Sequence, residues 1–266
     1  MSTGSRRARW DASVDLALAL VWRELAVRYK RSVLGVMWAL VEPLANVAIY
    51  VLVFGFVLGA RETVESYPVF TVFGVLPWLF LSTTVDQASG VLLEHAPLIR
   101  KVAFRRELLV FAVVFSRLTT LLLGLAMAFL WAGLWTFRGA ALQWHSAALI
   151  PLGLLLIVIA TTGLSLCVSA LQVVLRDTGF LVRFGLRLFF YACPVIYPVS
   201  RVPDVVRPWY ELNPLVGVIG CFHGIATFDG APSQRALMSA IFGSLLAGLA
   251  GWWCFKRLQS VVSDLV

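Results

Sequence analysis

Long apolar stretches separated by short charged clusters dominate the chain. A helix needs about 20 mostly apolar residues to cross a bilayer. Six stretches reach that length, at about 34–60, 68–93, 107–135, 147–174, 180–199 and 236–255. The second carries Pro77 and Asp86, and the fifth carries Arg183 and Arg187, so their ends are less sharply drawn. Between the fifth and sixth, the segment from Leu215 to Phe228 is apolar for only 14 residues and is bounded by Pro214, Gly230 and Pro232. That length is too short to span and fits a re-entrant or interfacial element between spans five and six. Near the start, Trp10, Val14, Leu18, Val21 and Leu25 recur at helical spacing up to Arg31. This predicts an N-terminal amphipathic helix lying along the membrane surface. The pattern therefore predicts an all-α integral membrane protein. One six-span domain, 34–255, is flanked by a tail with its interface helix, 1–33, and a second tail, 256–266.

Composition strengthens this reading. Of 266 residues, 60% are hydrophobic and 14% charged, and the mean hydropathy is +0.88. Soluble domains are about 45–50% apolar and about 25% charged, so an ordinary soluble enzyme is excluded. The net charge of +8 is attributed to basic loops beside anionic lipid and not to nucleic-acid binding. With both termini placed in the cytoplasm, 16 Lys and Arg fall inside, five outside, and Arg117 within the third span. The positive-inside rule thus favours an even span count with both ends cytoplasmic. Cys167, Cys193, Cys221 and Cys254 lie at least 26 residues apart in apolar surroundings and read as small core hydrophobes.

Five features bear on function. The stretch 94–106 mixes apolar and basic residues: Pro97, Leu98, Ile99, Arg100, Lys101, Phe104 and Arg105. It suits a short cytoplasmic helix that docks a soluble partner, or else a solvated basic loop. Arg176, Arg183 and Arg187 are spaced i, i+7 and i+11, on one face if all three are helical. Such a stripe either receives a phosphate, which guanidinium binds bidentately, or snorkels to the membrane surface. Trp78, Phe80, Phe189, Phe190, Tyr191 and Tyr197 cluster toward the outer halves of spans two and five. They suit an interfacial belt or a sugar-stacking path. Gly243, Ala247 and Gly251, with Gly55 and Gly59, form small-residue ladders that pack helices within one subunit or between two. Glu42, just before Pro43 in the first span, would pair with Arg117 or another basic residue, or line a path.

No GxxxxGK[ST] occurs and Gly-Lys is absent altogether, so the chain has no phosphate-binding loop for ATP. His95, His145 and His223 are scattered, with no HExxH and no nucleophile relay. The chain carries no cofactor of its own, and any energy for uphill transport comes from elsewhere.

Several segments resemble a known family: RYKRSVLGVMWALVEPL at 28–44, VFG at 53–55, LRDTGFLVRF at 175–184, PVIYP at 194–198, NPLVGVIGCF at 213–222 and FKRLQSVVSDLV at 255–266. In order and spacing they are similar to ABC-2-type permeases that export O-antigen, teichoic acid and capsular polysaccharide. The Glu in VEPL departs from the asparagine or other small or polar residue common there. The resemblance implies a multi-pass permease of the bacterial inner membrane. It implies a homodimer joined to two copies of a cytoplasmic ATP-binding subunit that holds ATP and Mg. The 94–106 segment would then be the coupling helix and 200–230 would form outer gate helices. The cargo would be a polysaccharide on a polyprenyl diphosphate, with the arginines meeting the diphosphate and the aromatics lining a sugar channel. A permease for a small hydrophobic drug or lipid and a membrane-embedded glycosyl or lipid transferase are the alternatives.

Overall fold

The computed structural model describes residues 21–22, 37–57, 66–101, 104–227 and 230–265. The described part is helical throughout, with no strand among these residues. The first helix, α1, runs from Trp38 to Tyr50 and continues as a π-helix over Val51–Val57. The next three are α2, Tyr67–Glu94, the short α3, Ala96–Lys101, and α4, Glu107–Phe137. A 3₁₀ turn at Trp144–Leu149 leads into α5, Ile150–Val174, followed by α6, Thr178–Ala192. Two small helices follow, α7, Arg207–Tyr210, and α8, Pro214–His223, before the long α9, Gln234–Leu265.

Four helical segments are long and apolar enough to cross a membrane: Tyr67–Glu94, Glu107–Phe137, Trp144–Val174 and Gln234–Gln259. They coincide with the second, third, fourth and sixth predicted spans. The fifth differs from its expected bounds of 180–199. It has only 15 helical residues, about 22 Å at 1.5 Å per residue, against about 30 Å of bilayer core. The cause is Pro194. The residue before a proline is pushed out of the α region, and Cys193 is extended at φ −115° and ψ 149°. Most of the predicted interface helix at 10–31 lies outside the described residues.

Helix α2 is the centre of the bundle. Every residue from Tyr67 to Trp78 is buried, and its neighbours are α1, α4, α5, α6 and α8. Close approach to α8 depends on Gly74. A Cβ there would collide with His223 and with the Val195 carbonyl, and the His223 ring stacks on Phe70 at 3.7 Å between centroids. Helix α8 starts cleanly because Asn213 accepts a hydrogen bond from the Leu215 N–H at 3.1 Å and Pro214 sits in the first turn, where its missing N–H costs nothing. Too short to span, α8 is buried through Val216, Val218, Ile219, Cys221 and Phe222.

Helix α9 lies along α5 and α8, and its glycine ladder faces these neighbours. A Cβ on Gly251 would meet the Gly163 carbonyl, one on Gly163 the Ala247 carbonyl, and one on Gly243 the Pro214 ring. Gly243, Ala247 and Gly251 therefore pack helices inside one subunit. Without a hydrophobic driving force between helices in lipid, such backbone-to-backbone approach is what holds them. Gly59 lies outside the described residues, as does the side-chain environment at Gly55.

Beside a small pair, Tyr67 and Phe70, the core divides in two. A large cluster around Phe73, Trp78, Leu156, Ile219 and Phe222 fills the middle and one end. A second, around Leu92, Leu109, Val113, Leu166 and Phe255, fills the other end, where α3 lies across it.

Candidate functional site

At the α3 end, seven residues must do two things. Leu98, Ile99 and Phe104 are half-buried against the second core cluster, while Pro97, Arg100, Lys101 and Arg105 are exposed. The expected apolar docking residues thus turn mainly toward their own bundle, because α2, α4, α5 and α9 leave apolar surface at this end that α3, together with Val21 and Phe104, packs against. What this end presents outward is a basic face. Val102 and Ala103 lie outside the described residues. Just behind α3, buried Glu107 accepts a hydrogen bond from Lys256 at 2.9 Å, and Arg106 donates to the Gln259 carbonyl at 3.0 Å. These bonds tie the start of α4 to the end of α9.

The arginine stripe is only partly realised. Arg176 lies in the turn before α6, ahead of the N-cap Asp177, so it is not on the helix face that the i, i+7, i+11 spacing required. Its carbonyl accepts from Gln172 Nε2 at 2.8 Å. Arg183 and Arg187, one turn apart on α6, are both exposed. Arg183 reaches Asp86 of α2 at 3.5 Å, with both side chains about half exposed, and its guanidinium lies 4.9 Å from the Phe180 ring. The Asp86 partner was not foreseen, although an acid in span two and a base in span five were the available signal. Arg117 donates to Gln87 at 2.9 Å. The Glu42 side chain lies outside the described residues.

The six aromatics separate into two groups. Trp78, Phe80 and Phe190 are buried in the main core, with Phe190 5.4 Å from the Tyr50 ring and 5.7 Å from Trp78. Phe189 and Tyr191 are exposed on α6. Tyr197 bridges them to the chain beyond, donating to the Tyr191 carbonyl at 2.8 Å and lying 3.0 Å from the Tyr210 hydroxyl. Burial first, and then this contact, raise the Tyr210 phenol above its usual pKa.

Helix α6 is accordingly an amphipathic rim. Thr178, Gly179 and Phe190 are its buried residues, and the remainder shows both arginines and apolar side chains to its surroundings. A long apolar bundle, a basic face at one end and an amphipathic rim helix with exposed arginines define a polytopic helical membrane protein.

Comparison with known proteins makes the class specific. The ABC-2 type transporter family model matches residues 15–226, and the chain belongs to that family. It is 31% identical over 226 residues to "O-antigen export system permease protein RfbA" of Myxococcus xanthus, covering 84% of this chain and 85% of that one. A protein of the same name from Klebsiella pneumoniae is 25% identical over 95% of each chain. "Polysialic acid transport protein KpsM" of Escherichia coli is 24% identical over 76% of this chain and 77% of its own.

Proposed function

We propose that this chain is the membrane-spanning permease subunit of an ATP-driven exporter that moves a polysaccharide across the bacterial inner membrane. The observation that carries this is similarity to an export-system permease over 84% of the chain, joined to a bundle whose four longest apolar helices match membrane length. A separate ATP-binding subunit supplies hydrolysis, with ATP and Mg held there, since this sequence contains no phosphate-binding loop.

In this reading the α3 end faces the cytoplasm, both termini lie there, and α1 with its π-helical continuation and α6 with the chain beyond it to Pro198 complete six spans, with α8 as the re-entrant element. Two copies of the chain form a dimer around the path. The exposed face of α6 borders that path, because Arg183 and Arg187 are unfavourable against lipid but suited to a polar route. The cargo is carried on a polyprenyl diphosphate, and the guanidinium groups of α6 meet its phosphates. The basic face of α3, presenting Arg100, Lys101 and Arg105, docks the ATP-binding subunit.

Deletion of the gene tests this. Surface polysaccharide should disappear and lipid-linked polymer should accumulate on the cytoplasmic side, both restored by the wild-type gene. Unchanged surface polysaccharide in the deletion strain would remove the reading. Loss without a lipid-linked intermediate would remove only the diphosphate part.

A further inference from the structure

At the end of the bundle opposite α3, the loops around α7 and α8 enclose a cleft of about 470 Å³, within the usual size range of about 300–1,000 Å³ for ligand sites. Its accessible polar rim is Ser200, Arg207, Glu211, Thr227 and Ser233, over a floor that includes Val216, Gly220 and Ala236. Arg207 is held rigidly. Its Nη2 donates to Asp204 at 2.9 Å and to the carbonyls of Val202 at 3.0 Å and Ser200 at 3.3 Å. Its Nε, in contrast, is buried with no hydrogen-bond partner among the described residues. Glu211 stands one helical turn further on, lines the same cleft, and pairs with no other described side chain. A buried unpaired donor calls for an explanation in a native structure. Here it sits on a guanidinium already fixed in place, beside a carboxylate with spare acceptor capacity.

We infer that this cleft binds a neutral saccharide, a segment of the exported polymer as it leaves the protein on the side opposite the ATP-binding subunit. This rests on the polysaccharide-export reading. A planar guanidinium donor and a planar carboxylate acceptor one turn apart match adjacent sugar hydroxyls, which both give and accept hydrogen bonds. The serine and threonine hydroxyls of the rim extend that pattern. Charge disfavours a polyanion: among the described residues the lining carries one cation and one anion, and the cation is already paired with Asp204, so it is poorly suited to neutralise a row of carboxylates.

The full chain in lipid nanodiscs, titrated calorimetrically with a repeat-unit oligosaccharide released from the host's own surface polysaccharide, tests the assignment. Binding is expected. Glu211→Gln should weaken it about tenfold or more, since hydrogen bonds to charged groups contribute about 1.5–3 kcal/mol. Ser200→Trp, filling the cleft, should abolish it. A Thr227→Cys variant, labelled from the side opposite α3 with an impermeant maleimide, should be protected by the same oligosaccharide, which keeps the test decisive where a variant fails to fold. Wild-type affinity in both Glu211→Gln and Ser200→Trp, or no protection at Thr227, overturns the site. Equal binding of oligosialic acid overturns its neutrality, and equal binding of maltotetraose overturns its assignment to the exported polymer. If the deletion strain loses its polysaccharide while these titrations show nothing, the cleft assignment fails and the export reading stands.

Discussion

Helices α9 and α6 both lie at the edge of the bundle, and they are held in opposite ways. Helix α9 meets α5 backbone to backbone at Gly163, Ala247 and Gly251 and is tied at its end by Lys256 and Glu107. Helix α6 is 15 residues long, buries three of them, and meets α2 through Phe190 against Trp78 and a half-exposed ion pair. One is fixed by shape and the other is left open. The difference separates a packed frame from an open surface: of the two helices, the loosely packed one carries exposed arginines beside exposed Phe189 and Tyr191.

The comparison breaks most readily at the frame. Gly251→Leu places a side chain where the Gly163 carbonyl already sits. Because the obstacle is backbone, the cost should exceed the usual 1–3 kcal/mol or so of overpacking. Little folded protein should be recovered from membranes by size-exclusion chromatography. A normal yield would mean that α5 and α9 separate without harm.

Next in size is a neighbouring pair on α6. Phe190→Ala empties a core position bounded by Tyr50 and Trp78. Such truncations cost about 3–5 kcal/mol in soluble cores, and the lower end applies here because lipid removes part of the transfer term. Phe189→Ala, at an exposed site, should leave thermal stability in detergent unchanged while altering export. Equal destabilisation by the two would show that the outward face of α6 is also packed.

At the α3 end, Arg100→Glu combined with Lys101→Glu should reduce copurification of the ATP-binding subunit about tenfold without lowering stability. Leu98→Asp should lower stability itself, because Leu98 is half-buried in the cluster that α3 covers. Full copurification of the double variant would leave α3 as a cover alone.

A small stability effect also belongs to the Asp86–Arg183 contact. Exposed ion pairs are worth about 0–1 kcal/mol, so Asp86→Asn should unfold at nearly the wild-type temperature. Releasing Arg183 should strengthen stimulation of ATP hydrolysis by the lipid-linked substrate in the reconstituted complex, whereas Arg187→Lys should weaken it, since a point charge lacks the guanidinium fork. Unaltered stimulation in both would return the arginines to a snorkelling role.

The four long helices were legible because each carries a long, mostly apolar run, and 20 or more such residues have few other stable arrangements. The end of α6 was also present in the text, as Pro194, but hydropathy alone carried the fifth span to 199 past the residue that stops the helix. Arg176 was misplaced for a related reason. Periodicity assumes a continuous helix, and the turn at Arg176 and Asp177 breaks the phase that would have aligned it with Arg183. The cleft beside α7 left almost no trace in sequence, since its rim comes from loops separated by up to 33 positions.

What the sequence by itself determined is the solvent of this protein: the length and apolarity of each run commit the chain to a bilayer. The tertiary structure alone decided which faces are spent. Composition does not distinguish Phe189 from Phe190, or a glycine that packs its own subunit from one that packs a partner. One residue of helical rotation is about 100°, and whether a side chain turns inward or outward depends on neighbours more than a hundred positions away.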